Sequence, residues 1–194
     1  MGDAATKDLN ISEAKLNALK GTIVLIKYGG NAMVVDEYKQ AVIRDIGKLK
    51  EFGLIPVVVH GGGPAIKDLL EKVGIQSEFI GGHRKTDKEA MGYVEMALNG
   101  KVNSELVKLL NQAGFKAVGI SGKDGGMVKA NKRLHEVTID GEDRKVDLGQ
   151  VGDVSEINTD LVQTLINAGY IPVVAPIGVG EDMLDYNINA DMFA

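Results

Sequence analysis

Short apolar runs alternate with longer amphipathic ones along most of the chain. Residues 22–27 (TIVLIK), 54–59 (LIPVVV), 116–120 (KAVGI) and 171–175 (IPVVA) are apolar at successive positions, the pattern of strands covered on both faces of a parallel sheet. Between them, 36–52 carries Val42, Ile43, Ile46, Leu49 and Phe52 at helical spacing, and 63–73, 87–99, 102–112 and 157–168 behave similarly. The segments EFGLIPVVV and NAGYIPVVA share one design, a helix stopped by Gly53 or Gly169 and then Ile-Pro leading into an apolar strand; QAGFKAVGI is a looser version. Repeated βαβ construction explains the recurrence and predicts an α/β fold, a three-layer αβα sandwich with a mainly parallel central sheet. Residues 124–150 differ: they are polar, alternating and turn-rich, and predict hairpins beside the main sheet. No linker divides the chain, so 21–194 reads as one domain after a helical or partly disordered extension, 1–20.

Composition narrows the chemistry. The 194 residues are 44% hydrophobic and 25% charged, which is ordinary for a globular domain able to bury a core. A net charge of -5 with scattered basic residues argues against a nucleic-acid or membrane-surface binder. The absence of cysteine excludes disulfides, thiolate metal sites and cysteine nucleophiles, and is compatible with a reducing cytoplasm. His60, His83 and His135 are the only imidazoles, none at metal-ligand spacing, so no metal site is expected. The first twenty residues carry both charge signs and no long apolar run, unlike a signal peptide or membrane span.

The candidate chemistry lies in two glycine loops at strand ends. In PVVVHGGGPAI, Gly61, Gly62 and Gly63 stand between an apolar strand and a helix start, where free N–H groups and the positive dipole end favour an anion. A dinucleotide fingerprint fails on spacing, because Ile66 stands where the last glycine of G-x-G-x-x-G belongs. An α/β-hydrolase needs a G-x-S-x-G elbow, but GISGK has Lys123 in place of the final glycine. A Walker loop is also absent, which leaves an anion cradle. In VLIKYGGNAM, Lys27 precedes Gly29 and Gly30 at the carboxyl end of a strand, where ligands of open parallel sheets collect. Two such loops with one cation fit phosphoryl transfer, which needs mainly positioning and charge neutralisation.

Taken in order, KYGGNAM, VVVHGGGPAI, GGHRKTDKEAMGYVEMALNGKVNSELV, GKDGGMVKA and IPVVAPIGVGEDMLDYNINAD resemble the N-terminal domain of the acetylglutamate kinases, in the amino-acid kinase family. The resemblance implies ATP-dependent phosphorylation of the side-chain carboxylate of N-acetyl-L-glutamate, a cytoplasmic step of arginine biosynthesis, with ATP and Mg as co-substrate. It implies catalytic roles for Lys27, on the transferring phosphoryl group, and for Asp191, which orients the catalytic lysines. It implies substrate contacts from Gly62, Gly63, Arg84 and Asn187, with Arg84 on the α-carboxylate, and phosphate-loop roles for Gly29, Gly30 and Gly61. His83 and Lys85 depart from the apolar residues expected around the arginine.

The resemblance further implies that 21–194 is the acetylglutamate-binding half, lacking the C-terminal nucleotide domain and inactive alone. A homodimer through N-terminal domains is expected, and Met91, Val94, Ala97 and Leu98 form an apolar stripe that can serve either the core or a partner. Two other readings stay open: a kinase for a related amino-acid substrate, and a non-catalytic ligand-binding or regulatory module.

Overall fold

A computed structural model describes residues 13–139 and 142–194. Most of the extension expected at 1–20 lies outside those residues; within them Glu13–Ala18 is a short helix, α1. The first half continues with β1 (Ile23–Tyr28), α2 (Asp36–Glu51), β2 (Ile55–His60), α3 (Gly63–Lys72), β3 (Phe79–Ile80), β4 (His83–Arg84), α4 (Lys88–Glu95) and α5 (Ser104–Gln112). The second half contributes β5 (Ala117–Ser121), β6 (Val128–Ile139), β7 (Glu142–Ile157), α6 (Asp160–Asn167), β8 (Ile171–Ala175), β9 (Ile177–Val179), β10 (Asp185–Ile188) and α7 (Ala190–Phe193).

The four strands read from the apolar runs form the main sheet, all parallel, in the order β1-β2-β8-β5. Because side chains alternate across a strand, β2 sends Val58 to one core and Val57 and Val59 to the other. The first core joins Ile43 and Ile46 of α2 and Leu106 and Leu110 of α5 to the sheet; the second joins Ile166 of α6, Ala190 of α7 and residues of β6 and β10. Helices therefore cover both faces and give the αβα layering.

The segment expected as hairpins is one long antiparallel hairpin, β6 with β7, closed into a small barrel by β9 and β10. The helices expected at 87–99 and 102–112 are one continuous run, because Met96–Asn103 adopts a π-helix across Gly100 instead of breaking there. Asp87 starts that run by accepting a hydrogen bond from Ala90 N at 2.8 Å. The Met91, Val94, Ala97 and Leu98 stripe is fully taken up by the chain's own core with Ile66 and Leu70 of α3, so it is not a free partner surface. No helix among the described residues is long and apolar enough to cross a membrane.

Candidate active site

Adjacent parallel pairing of β1 and β2 makes the two glycine loops leave the sheet side by side. The Gly61 N–H donates to the Tyr28 carbonyl at 2.7 Å and holds them together just beyond the last strand pair, Tyr28 with His60. Gly30 has φ +63, a left-handed conformation that strongly favours glycine. Gly29 leaves the space over which Lys27 folds, since a Cβ there would lie 3.1 Å from Lys27 Nζ. The same Nζ is 2.9 Å from Asp191 Oδ1. Asp191 sits in the first turn of α7, where Asn189 caps the helix by accepting from Asp191 N at 2.8 Å.

Across the cleft, α3 opens at Gly63 with Pro64 in its first turn, where a missing N–H costs no helical bond. The N–H groups of Gly62 and Gly63 have no protein acceptor among the described residues. Arg84 reaches this helix start from the short β3–β4 hairpin, which Thr86 anchors to β7 by donating its N–H to the Leu148 carbonyl at 2.8 Å. The guanidinium is buried, lies 4.5 Å from the Phe79 ring centroid, donates to the Ser77 hydroxyl, and approaches the Gly63 carbonyl at 3.4 Å. Burial pushes its pKa down from the ordinary value. No carboxylate among the described residues pairs with it. Asn187, on β10 between β9 and β7, likewise makes no side-chain hydrogen bond to a described residue.

Lys27, Gly29, Gly30, Gly61, Gly62, Gly63, Arg84, Asn187 and Asp191 all line one cleft of about 290 Å³. Apolar walls come from Ile66, Phe79, Leu98, Val151, Pro176 and Ile188. Among the described residues that line it, Lys27 and Arg84 are the cations and Asp191 the single carboxylate, a balance that favours an anionic ligand with an apolar part. No group of three or more His, Asp or Glu side chains suited to a metal ion occurs among the described residues.

The glycines differ in what they leave room for. A Cβ on Gly63 would meet nothing within 4 Å, whereas one on Gly62 would lie 2.5 Å from Cδ2 of the buried Leu98. Gly62 is thus small to let the π-helical segment pack, whereas Gly63 keeps the cleft itself clear. Sequence reasoning assigns no role to His60 or His83. His83 lines the cleft beside Arg84, its ring centroid 5.9 Å from that of His135, and burial together with Arg133 and His135 lowers its pKa. His60 is wholly buried at the start of the Gly61–Gly63 loop, and desolvation takes its pKa down to about 4. The signal for both is adjacency: each immediately precedes a residue already singled out.

Residues 22–194 match the amino acid kinase family along their whole length. The chain belongs to that family. It is similar to an acetylglutamate kinase of Nitrosococcus oceani, 53% identical over 180 residues that cover 90% of this chain and 59% of the relative. An acetylglutamate kinase of Neisseria meningitidis is 50% identical over 193 residues, covering 98% of this chain and 64% of the relative. The chain thus spans about three fifths of the length of these amino acid kinases. Among solved structures, the smu.665 protein of Streptococcus mutans superposes with a TM-score of 0.71 at 29% identity, covering 89% of this chain and 65% of that one. An N-acetylglutamate synthase of Neisseria gonorrhoeae, complexed with coenzyme A and N-acetyl-glutamate, gives 0.73 at 20% identity, covering 98% and 41%; that likeness shows the shared fold alone.

Proposed function

We propose that residues 21–194 are the acetylglutamate-binding domain of an acetylglutamate kinase, which transfers the γ-phosphoryl group of ATP to the side-chain carboxylate of N-acetyl-L-glutamate. The observation that carries this reading is Arg84, a buried guanidinium with no carboxylate partner among the described residues, in the cleft that holds the Lys27–Asp191 pair. Arginine stays charged near neutrality, so a buried one without an acid calls for an anionic ligand.

Arg84 binds the α-carboxylate in a forked, charge-assisted contact, and the Gly62 and Gly63 N–H groups and the Asn187 amide orient the rest of the ligand. An N-acylated amino acid suits the cleft better than a free one. A free α-ammonium would need a carboxylate, and the only one among the described residues lining the cleft, Asp191, is paired with Lys27. The side-chain carboxylate is already anionic, so no general base is needed: its oxygen attacks the γ-phosphorus, that P–O bond forms, and the bond to the ADP oxygen breaks. Lys27 neutralises charge on the transferring group, and Asp191 holds the amine in place. Magnesium enters with ATP, since it is held mainly by phosphate oxygens with one or two carboxylates.

The reading includes a cytoplasmic location and a homodimer, which light scattering tests. Titration calorimetry tests the substrate directly. Binding of acetylglutamate with glutamate at least about tenfold weaker supports the proposal, and equal affinity for both would end it.

A further inference from the structure

His60 ends β2 with no exposed surface, and phosphoryl transfer as described assigns it nothing to do. Its Nδ1 lies 2.8 Å from the Gly61 carbonyl oxygen, and its Nε2 lies 3.0 Å from Nδ2 of Asn103. A carbonyl oxygen only accepts and an amide nitrogen only donates. One tautomer satisfies both contacts, with the proton on Nδ1 and the lone pair on Nε2.

The orientation of Asn103 is fixed independently. Its Nδ2 also lies 2.9 Å from the carbonyl oxygen of Val173 in the central strand β8, so the nitrogen and not the oxygen must face that way. Its Oδ1 fills the place beside Gly119 of β5 that any side chain there would occupy. Asn103 reaches this position from the end of the π-helical segment.

Hydrogen bonds therefore run from the sheet through Asn103 and His60 to the Gly61 carbonyl. The Gly61–Gly62 peptide is trans, so the Gly62 N–H is antiparallel to that carbonyl and directed away from His60. It is one of the two N–H groups at the start of α3 without a protein acceptor among the described residues.

We propose that His60 and Asn103 are positioning residues for the anion cradle: Asn103 sets the tautomer of His60, and the Nδ1 proton locks the Gly61–Gly62 peptide with its N–H presented to a carboxylate. The inference rests on the proposed function in taking that cleft as the carboxylate site. Neither residue touches the ligand, and both act through the loop.

Two measurements test it. Long-range proton–nitrogen correlation on the labelled chain should show His60 protonated on Nδ1 at neutral pH; the Nε2–H tautomer would overturn the proposal whatever the cleft binds. The second compares His60→Asn with His60→Gln. An asparagine amide nitrogen falls near the Nδ1 position and keeps the bond to Gly61, whereas a glutamine one falls near Nε2 and loses it. Acetylglutamate should bind His60→Asn within about threefold of the unmodified chain and His60→Gln at least about tenfold more weakly. The Gly62 amide resonance should move in the glutamine variant alone. Equal behaviour of the two folded variants, in affinity and in that resonance, would overturn the proposal. Failure of the unmodified chain to bind acetylglutamate refutes the functional reading instead, and the tautomer and the Gly62 resonance still decide this one.

Discussion

Lys27 Nζ and Asp191 Oδ1 meet 2.9 Å apart at the cleft, joining the edge strand β1 to the last helix of the chain. Both side chains are well exposed, at 36% and 69%, so the pair contributes little to stability. Its effect is positional, holding an amine over Gly29 that would otherwise sample many rotamers.

Replacing Lys27 by methionine should therefore leave the melting temperature within a few degrees and change acetylglutamate affinity less than about tenfold. Acyl-phosphate formation by an active kinase carrying this sequence should fall by a factor on the order of a hundred or more, because the charge Lys27 meets develops during transfer. Hydroxamate trapping measures the rate, and calorimetry the affinity. A rise in the Michaelis constant at unchanged turnover would remove Lys27 from the chemistry.

Arg84→Ala should weaken acetylglutamate binding roughly ten- to a hundredfold, the effect of losing a charge-assisted hydrogen bond of about 1.5 to 3 kcal/mol. The fold should survive, since among the described residues the guanidinium's polar and ring contacts are the Ser77 hydroxyl, the Gly63 carbonyl and the Phe79 ring. Calorimetry beside a circular-dichroism melt checks both halves. Undiminished affinity in a folded variant would show that the α-carboxylate binds elsewhere.

The neighbouring glycines should fail in opposite ways. Gly63→Val projects into open space at the cleft and should abolish binding with little loss of stability. Gly62→Ala presses on the buried Leu98 and should cost about 1 to 3 kcal/mol of folding free energy through overpacking. Denaturant titrations of the two variants separate the effects.

Stability should also fall on acidification through His60. Free imidazole titrates near 6.5, while burial holds folded His60 at about 4, an effect that the Gly61 carbonyl opposes. The unfolded chain takes up the proton first, so this contribution is intact above pH 6.5, is lost as the pH falls towards 4, and changes no further below. The full loss is about 3 kcal/mol. Stability should depend more steeply on pH across that range for the unmodified chain than for His60→Asn, as denaturation curves measure, and identical slopes would show that folding does not shift the titration of His60.

The parallel sheet is legible because its strands are apolar on both faces, and each of the four runs read from the sequence is one of its strands. The cleft is partly legible. Gly61 and Lys27 stand in local patterns whose chemistry is plain, and Arg84 is singled out by the family resemblance alone, but their convergence depends on strand order, which no local pattern encodes. A glycine run suggests an anion cradle and nothing more; that Gly62 also makes room for Leu98, far along the chain, shows only in the fold. The sequence reads as two helices, 87–99 and 102–112, yet the backbone runs on between them through the π-helical segment Met96–Asn103. His60 and Asn103 are silent for a similar reason: a buried hydrogen-bonded pair shows only when both members are placed in space.

The π-helical turn sets a constraint on length more than on composition. Successive residues of an α-helix are about 100° apart around the axis, so a wide turn resets the phase between the helices on its two sides. Here α4 presents Ala90, Met91 and Val94 to α3, while α5 presents Leu106 and Leu110 to the sheet, with Asn103 between them turned towards His60. Substitution at outward positions such as Met96, which is 62% exposed, leaves that phase untouched. Loss of a single residue between 96 and 103 would not: one of the two helices must then rotate off its core, or Asn103 must swing away from the imidazole. Among descendants of this sequence, drift in the identity of those residues is expected and insertions or deletions are not.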